Sequence, residues 1–194
     1  MTEENNHKST DATQTLHPLL EARWSPRAFD GQALIEHEMQ QILQGARWAA
    51  SSMNEQPWFY YYVLAGTEGF EQFWECLMPG NQPWCKQAGA LVLAVKNDFF
   101  AQNGKKNGTA EHDLGMANAQ LSLQALHMNI YSHFIGGFDR NKISQLINLK
   151  ESSTPVCMIA LGHRGETEDL PEPYRTREVG TRSRKSLSDI AKAW

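Results

Sequence analysis

Two stretches, residues 89–95 (GALVLAV) and 155–162 (PVCMIALG), are apolar at nearly every position. A strand of that kind has no face to show to water, so both are expected to be fully buried in a sheet that helices cover. Residues 111–128 supply the strongest helical pattern. Leu114, Ala117, Leu121, Ala125 and Met128 repeat at helical spacing and alanine is frequent, which favours a helix by propensity as well as by period. This helix is apolar on more than one side and is expected to be central. Asn129 follows where a terminator is needed, and asparagine tolerates the left-handed conformation of a C-terminal cap. A second helix over 36–50 places Ile35, Met39, Ile42, Leu43, Ala46 and Ala49 on one face.

The remaining segments alternate between the two periods. A short helix is expected over 16–21, ended by Trp24-Ser25-Pro26, because the residue before a proline is pushed out of the helical region. WFYYYVL at 58–64 is short, aromatic and β-branched, which predicts a strand. A helix over 67–78 stops at Pro79-Gly80, and GKKNG at 104–108 reads as a loop. The spacing then predicts a strand over 131–138 ending in Gly136-Gly137, and a helix over 140–147. A polar excursion follows over 163–180, and a closing helix over 188–193. With no repeat and no glycine-rich phosphate loop, the class is α+β or α/β, helices around a small sheet.

The 194 residues suit one domain. Residues 1–15 (MTEENNHKSTDATQT) contain almost nothing to bury and are expected to be a disordered tail, leaving 16–194 as that single domain. A net charge of -4 without a basic block disfavours nucleic acid as a partner. Cys76, Cys85 and Cys157 form no CxxC pair, and His7, His112, His127 and His133 show no ligand spacing, so no metal is expected. Cys157 reads as core. No apolar run approaches the ~20 residues of a bilayer span and no signal peptide opens the chain, so a soluble, cytoplasmic protein is expected.

Four stretches carry candidate chemistry. Arg23-x-Ser25-x-Arg27 lies on the loop after the first helix, where alternate side chains can converge and two guanidinium forks with a hydroxyl suit a phosphate or carboxylate. Two solvated arginines explain it equally well. Ser51-Ser52-Met53-Asn54-Glu55-Gln56-Pro57-Trp58 offers the donors and acceptors that a heteroaromatic edge requires, or else merely terminates a helix. Gly136-Gly137 at a strand end lets a flat ligand approach the backbone, or marks a bend. Arg182-Ser183-Arg184-Lys185 is a late basic cluster, ordinarily a solvated one. Asp113 reads as a structural hydrogen-bond partner rather than a general acid. The aromatic run 59–62 reads as strand packing.

Taken in order, RxSxR, SSxNxQPW, a Gly-Gly strand end after a central helix and a late RxRK resemble the nitroreductase family over residues 16–190, with SSMNEQPW the most specific part. The resemblance implies an α+β fold of helices around a central, mainly antiparallel sheet, and a homodimer with FMN at the subunit interface. It implies that Arg23, Trp24, Ser25 and Arg27 meet the FMN phosphate, ribityl chain and pyrimidine edge, with Arg182 and Arg184 completing the phosphate site. Ser51, Ser52 and Asn54, with Gln56 nearby, would serve the partner's ring, while Ile135, Gly136 and Gly137 would lie along it. The chain departs from the family pattern at Ala50, where proline is frequent, at Asn129, where glycine is, and at Trp24, where a basic residue is. The implied activity is ping-pong transfer of hydride from NAD(P)H to a nitro compound, quinone or activated alkene, the flavin carrying the chemistry. Other implied roles are an FMN-binding sensor without turnover, or a flavin-destroying or dehalogenating relative.

Overall fold

The structure, a computed structural model, describes residues 16–194; the expected tail over 1–15 lies outside them. Its sheet is wholly antiparallel and has four strands: β1 (Trp58–Leu64), β2 (Ala90–Asn97), β3 (Tyr131–Ile135) and β4 (Ser153–Gly162), in the order β1-β2-β4-β3. The two apolar runs are its inner strands. Alternation along β2 explains their composition. Leu91, Leu93 and Val95 enter one core with Phe70, Phe73, Trp84 and Ile143, while Ala90, Val92 and Ala94 enter the other with Met39, Ile42, Leu114 and Leu121. Both faces are therefore dry.

The second core is roofed by α2 (Glu36–Arg47) and α5 (Ala110–His127). The first lies under α3 (Glu68–Trp74), α4 (Gln82–Cys85) and α6 (Arg140–Leu146). α1 (Pro18–Ala22), α7 (Tyr174–Glu178) and α8 (Leu187–Ile190) are short and peripheral. Asn129 has φ 60 and ends the α5 segment as expected.

Several bounds differ from the sequence expectation. The strand expected to 138 ends at Ile135, whose partner is Met158, and Phe138 instead forms an isolated bridge to Leu77. That bridge also ends α3 early, because Leu77 must leave the helix to make it. α2 stops at Arg47 rather than residue 50, since Trp48 already has ψ 4. The polar excursion is not featureless: it contains a 3-10 turn at Thr167–Asp169 and then α7. The closing helix is Leu187–Ile190, earlier and shorter than 188–193, because Ser186 caps it and Asp189 accepts the Ser186 N–H.

Candidate functional site

The Arg23–Arg27 loop begins where α1 ends. Arg23 takes an extended conformation as C-cap, φ -62 and ψ 122, and its Nη1 donates to Ser25 Oγ at 3.3 Å. From the far end of the chain, Arg182 Nη1 donates to the Arg23 carbonyl and its Nη2 to the Glu21 carbonyl, each at 2.8 Å. Burial, then the Arg184 charge, then the Arg182 charge lower the pKa of Arg23. Three guanidiniums thus share one locus. Among the described residues, no carboxylate pairs with the side chains of Arg23, Arg27 or Arg184. Like charges held together in this way are stabilised by an anion, and the guanidinium fork suits one with several oxygens.

The loop rests on β3. The His133 Nδ1–H donates to the Pro26 carbonyl at 2.9 Å, and the ring lies 4.4 Å from that of Trp84. Burial first, with the Arg27 and Arg23 charges, lowers the His133 pKa to about 4, against the lift from its backbone hydrogen bonds. It is a neutral imidazole at ordinary pH. The Arg27 guanidinium stands 5.9 Å from the Trp84 ring centre, and Arg164 lies 5.4 Å from that of Trp24. Beneath the loop, Glu178 accepts the backbone N–H groups of Arg27 and Ala28.

Further along β3 the two glycines differ. A Cβ on Gly136 would meet nothing within 4 Å, so the chain itself gives no steric reason for a glycine there. A Cβ on Gly137 would sit 2.8 Å from Asn81 Nδ2, which donates to the Gly137 carbonyl at 3.0 Å. A side chain at Gly137 would have to displace the Asn81 amide, whereas Gly136 leaves its backbone open to an approaching group. Ile135 is buried in the first core, so it can offer only its backbone to a ring. Gly136 stands three residues beyond His133, about 10 Å along the strand from the level of the arginine loop.

Ser51–Gln56 form a separate constellation. A 3-10 turn at Ser52–Asn54 has Met53, Asn54 and Gln56 at positive φ (54, 56 and 51). It is held by the Ser52 N–H to Asp113 Oδ2 at 3.0 Å and the Gln56 N–H to Ser51 Oγ at 3.0 Å. Asp113 is 3% exposed and also receives Thr109 Oγ1, which is the structural role expected of it. No hydrogen bond or ion pair among the described residues joins Ser51, Ser52, Asn54 or Gln56 to Arg23, Arg27 or Arg184. The topology gives the reason. Ser51–Gln56 precede β1 at one edge of the sheet, and the arginine loop rests on β3 at the other, three strand spacings or about 14 Å across.

Neither constellation coincides with the open groove of about 730 Å³ between α1, α2 and α5, where Leu19, Gln44, Trp48, Leu123, Gln124 and Met128 are exposed to one another. Among the described residues no three His, Cys, Asp or Glu side chains are grouped to hold a metal ion. None of the described helices is long and apolar enough to cross a membrane.

Fold and site together define an α+β protein with a cluster of guanidiniums at one sheet edge and a polar loop of positive-φ residues at the other. The nitroreductase family model matches residues 20–78 and 71–163, and the chain belongs to that family. A solved structure of an oxidoreductase containing FMN superposes with a TM-score of 0.89 at 32% identity, covering 99% of this chain and 96% of its own. An uncharacterised 15.4 kDa protein of Mycolicibacterium smegmatis is 28% identical over 66% of this chain and 84% of its own length. YdgI of Bacillus subtilis, which bears a provisional NAD(P)H nitroreductase name, is 26% identical over 77% and 88%.

Sequence reasoning missed Glu178 and His133. Glu178 sits in a charged stretch, and its burial depends on a contact across 151 positions. For His133 the sequence argues only against metal ligation and leaves core and surface roles open, and its place inside a strand is the one usable signal for its role under the loop.

Proposed function

We propose that this chain is an FMN-dependent oxidoreductase whose residues 16–194 act as one flavin-binding domain. The observation that carries the reading is the cluster of Arg23, Arg182 and Arg184, with the open backbone of Gly136 about 10 Å further along the same edge. A phosphate joined to a flat ring by a ribityl chain suits that spacing. Arg23, Arg182 and Arg184 bind the phosphate, Ser25 and Arg27 the ribityl and pyrimidine end, with Trp24 stiffened by Arg164. The backbone of Ile135, Gly136 and Gly137 follows the ring. FMN supplies the redox chemistry, accepting hydride from NAD(P)H and passing it, in alternation at one site, to a nitro compound, quinone or activated alkene. The protein's own work is to bind and orient the ring and to set the Arg27 cation at its pyrimidine end, where it would favour the reduced, anionic form. NAD(P)H as donor is supported by the name of YdgI.

The second part of the proposal is a homodimer. Ser51, Ser52, Asn54 and Gln56 stand beside the opposite sheet edge from the arginine loop, about 14 Å across, so we assign them to the site of another copy. The surface beside them supports this: Trp48 is 80% exposed and Met53 74% exposed, an arrangement that costs free energy unless it is covered. Light scattering should give twice the 22.0 kDa chain mass, and an FMN-loaded monomer would sink this part. Anaerobic stopped-flow bleaching of the bound flavin by NADH and by NADPH, followed by an acceptor panel, tests the activity. Stoichiometric FMN that neither nucleotide reduces would overturn it in favour of a binding protein.

A further inference from the structure

Glu178 closes α7 and is 3% exposed, and a carboxylate so far from water persists only where donors surround it. Its Oε1 and Oε2 accept the Arg27 N–H at 3.1 and 3.0 Å, and Oε1 accepts the Ala28 N–H at 3.3 Å. Four residues on, Arg182 donates to the carbonyls of Glu21 and Arg23. The segment 178–182 therefore grips the backbone of 21–28 twice with opposite polarity, a carboxylate on its N–H groups and a guanidinium on its carbonyls. Apart from the Glu21 carbonyl at the end of α1, those backbone groups belong to an irregular stretch outside the four strands.

We infer that Glu178 is a positioning residue of the anion site, clasping the loop so that Arg23, Ser25 and Arg27 are held in place before a ligand arrives. The inference rests on the FMN reading above. Only a group able to accept at both oxygens can do this, since an amide would turn a donor toward the backbone N–H groups. Fixing the loop beforehand removes an ordering cost from binding. Because the same segment carries Arg182 and leads to Arg184, order in the loop and order in 178–184 are one event. An anion that binds the loop must then protect both.

The test compares FMN with riboflavin, which lacks the phosphate, by fluorescence quenching on the flavin-stripped protein. In Glu178→Gln the Kd for FMN should rise about tenfold or more, the loss of one charge-assisted hydrogen bond. The Kd for riboflavin, which keeps the contacts of Ser25 and Arg27 but lacks those of Arg23, should rise by a smaller factor than that for FMN. If the wild type does not prefer FMN to riboflavin, the phosphate reading itself fails. If it does and the variant keeps the same ratio, the clasp alone is wrong. Amide exchange on the wild type covers a variant that does not fold: residues 27–28 and 178–184 should gain protection together with FMN, and less with riboflavin. Protection confined to one segment overturns the inference.

Discussion

Replacing Arg23 by methionine separates binding from folding, because the apolar stem is kept and only the charge is removed. In the flavin-free protein Arg23 repels Arg184 and Arg182, and its side chain gains one hydrogen bond, to Ser25. Losing that bond costs about 1 kcal/mol, and removing one of three like charges acts in the opposite direction. The melting temperature without flavin should therefore stay within about 4 °C of wild type for a chain of this length. A phosphate meeting Arg23 loses a charge-assisted hydrogen bond contributing ~1.5–3 kcal/mol, so the Kd for FMN should rise roughly 10- to 150-fold. No accessible pH substitutes for the mutation: a guanidinium stays protonated throughout the working range, so the repulsion is always present. Flavin quenching gives the affinity and calorimetry on stripped protein gives the stability. A large fall in melting temperature with an unchanged Kd would show that Arg23 is a structural cation and would refute the anion-site reasoning.

Three further outcomes follow from the same coordinates. His133 titrates at about 4 in the fold against 6.5 unfolded, so its contribution is complete above about pH 6.5 and is lost as pH falls toward 4, about 2 kcal/mol at pH 5 and about 3 below pH 4. In urea titrations His133→Asn, which keeps a donor for the Pro26 carbonyl, should lose less stability than wild type between pH 7 and 5; equal losses would remove His133 from the account. Gly137→Ala should lower the melting temperature by displacing Asn81, at a cost of about 1 kcal/mol, with Gly136→Ala leaving it unchanged and weakening FMN instead; the reverse assignment would contradict the open backbone at Gly136. Burial pushes the thiols of Cys76 and Cys85 up and that of Cys157 up to about 11, so a thiol reagent at pH 8 should find none of the three reactive until the protein is unfolded.

Where sequence and structure agree, the determinants are local or nearly so. GALVLAV and PVCMIALG had to be inner strands because no outer strand tolerates both faces apolar, and the register confirms it, with Val92 opposite Ile159 in the middle of the sheet. Asn129 could be read as a cap because one residue's φ decides it. The misreadings lie where a distant partner decides. Gly136 to Phe138 continue an apolar run, yet the strand stops at Ile135 because Phe138 turns away to bridge Leu77. α4 is four residues long, too short for periodicity to register, and is visible only through the burial of Trp84 and Cys85.

The site shows the same division at a larger scale. RxSxR and the late RxRK are separately ambiguous, and either is a pair of solvated arginines until something brings them together. The agent is the hydrogen bond from Arg182 to the Arg23 carbonyl, across 159 positions, assisted by a carboxylate that reads in sequence as one more surface charge. That contact brings two motifs together at the β3 edge, where we propose the anion site. It also leaves Ser51–Gln56 behind at the β1 edge, strained, anchored to Asp113 and flanked by an exposed tryptophan. A loop that stores positive φ at three of its residues needs a compensating interaction. The four-stranded order sets it three strand spacings, about 14 Å, from the arginine loop. A second copy would supply such an interaction, and the proposed homodimer is the arrangement in which both constellations would serve one site.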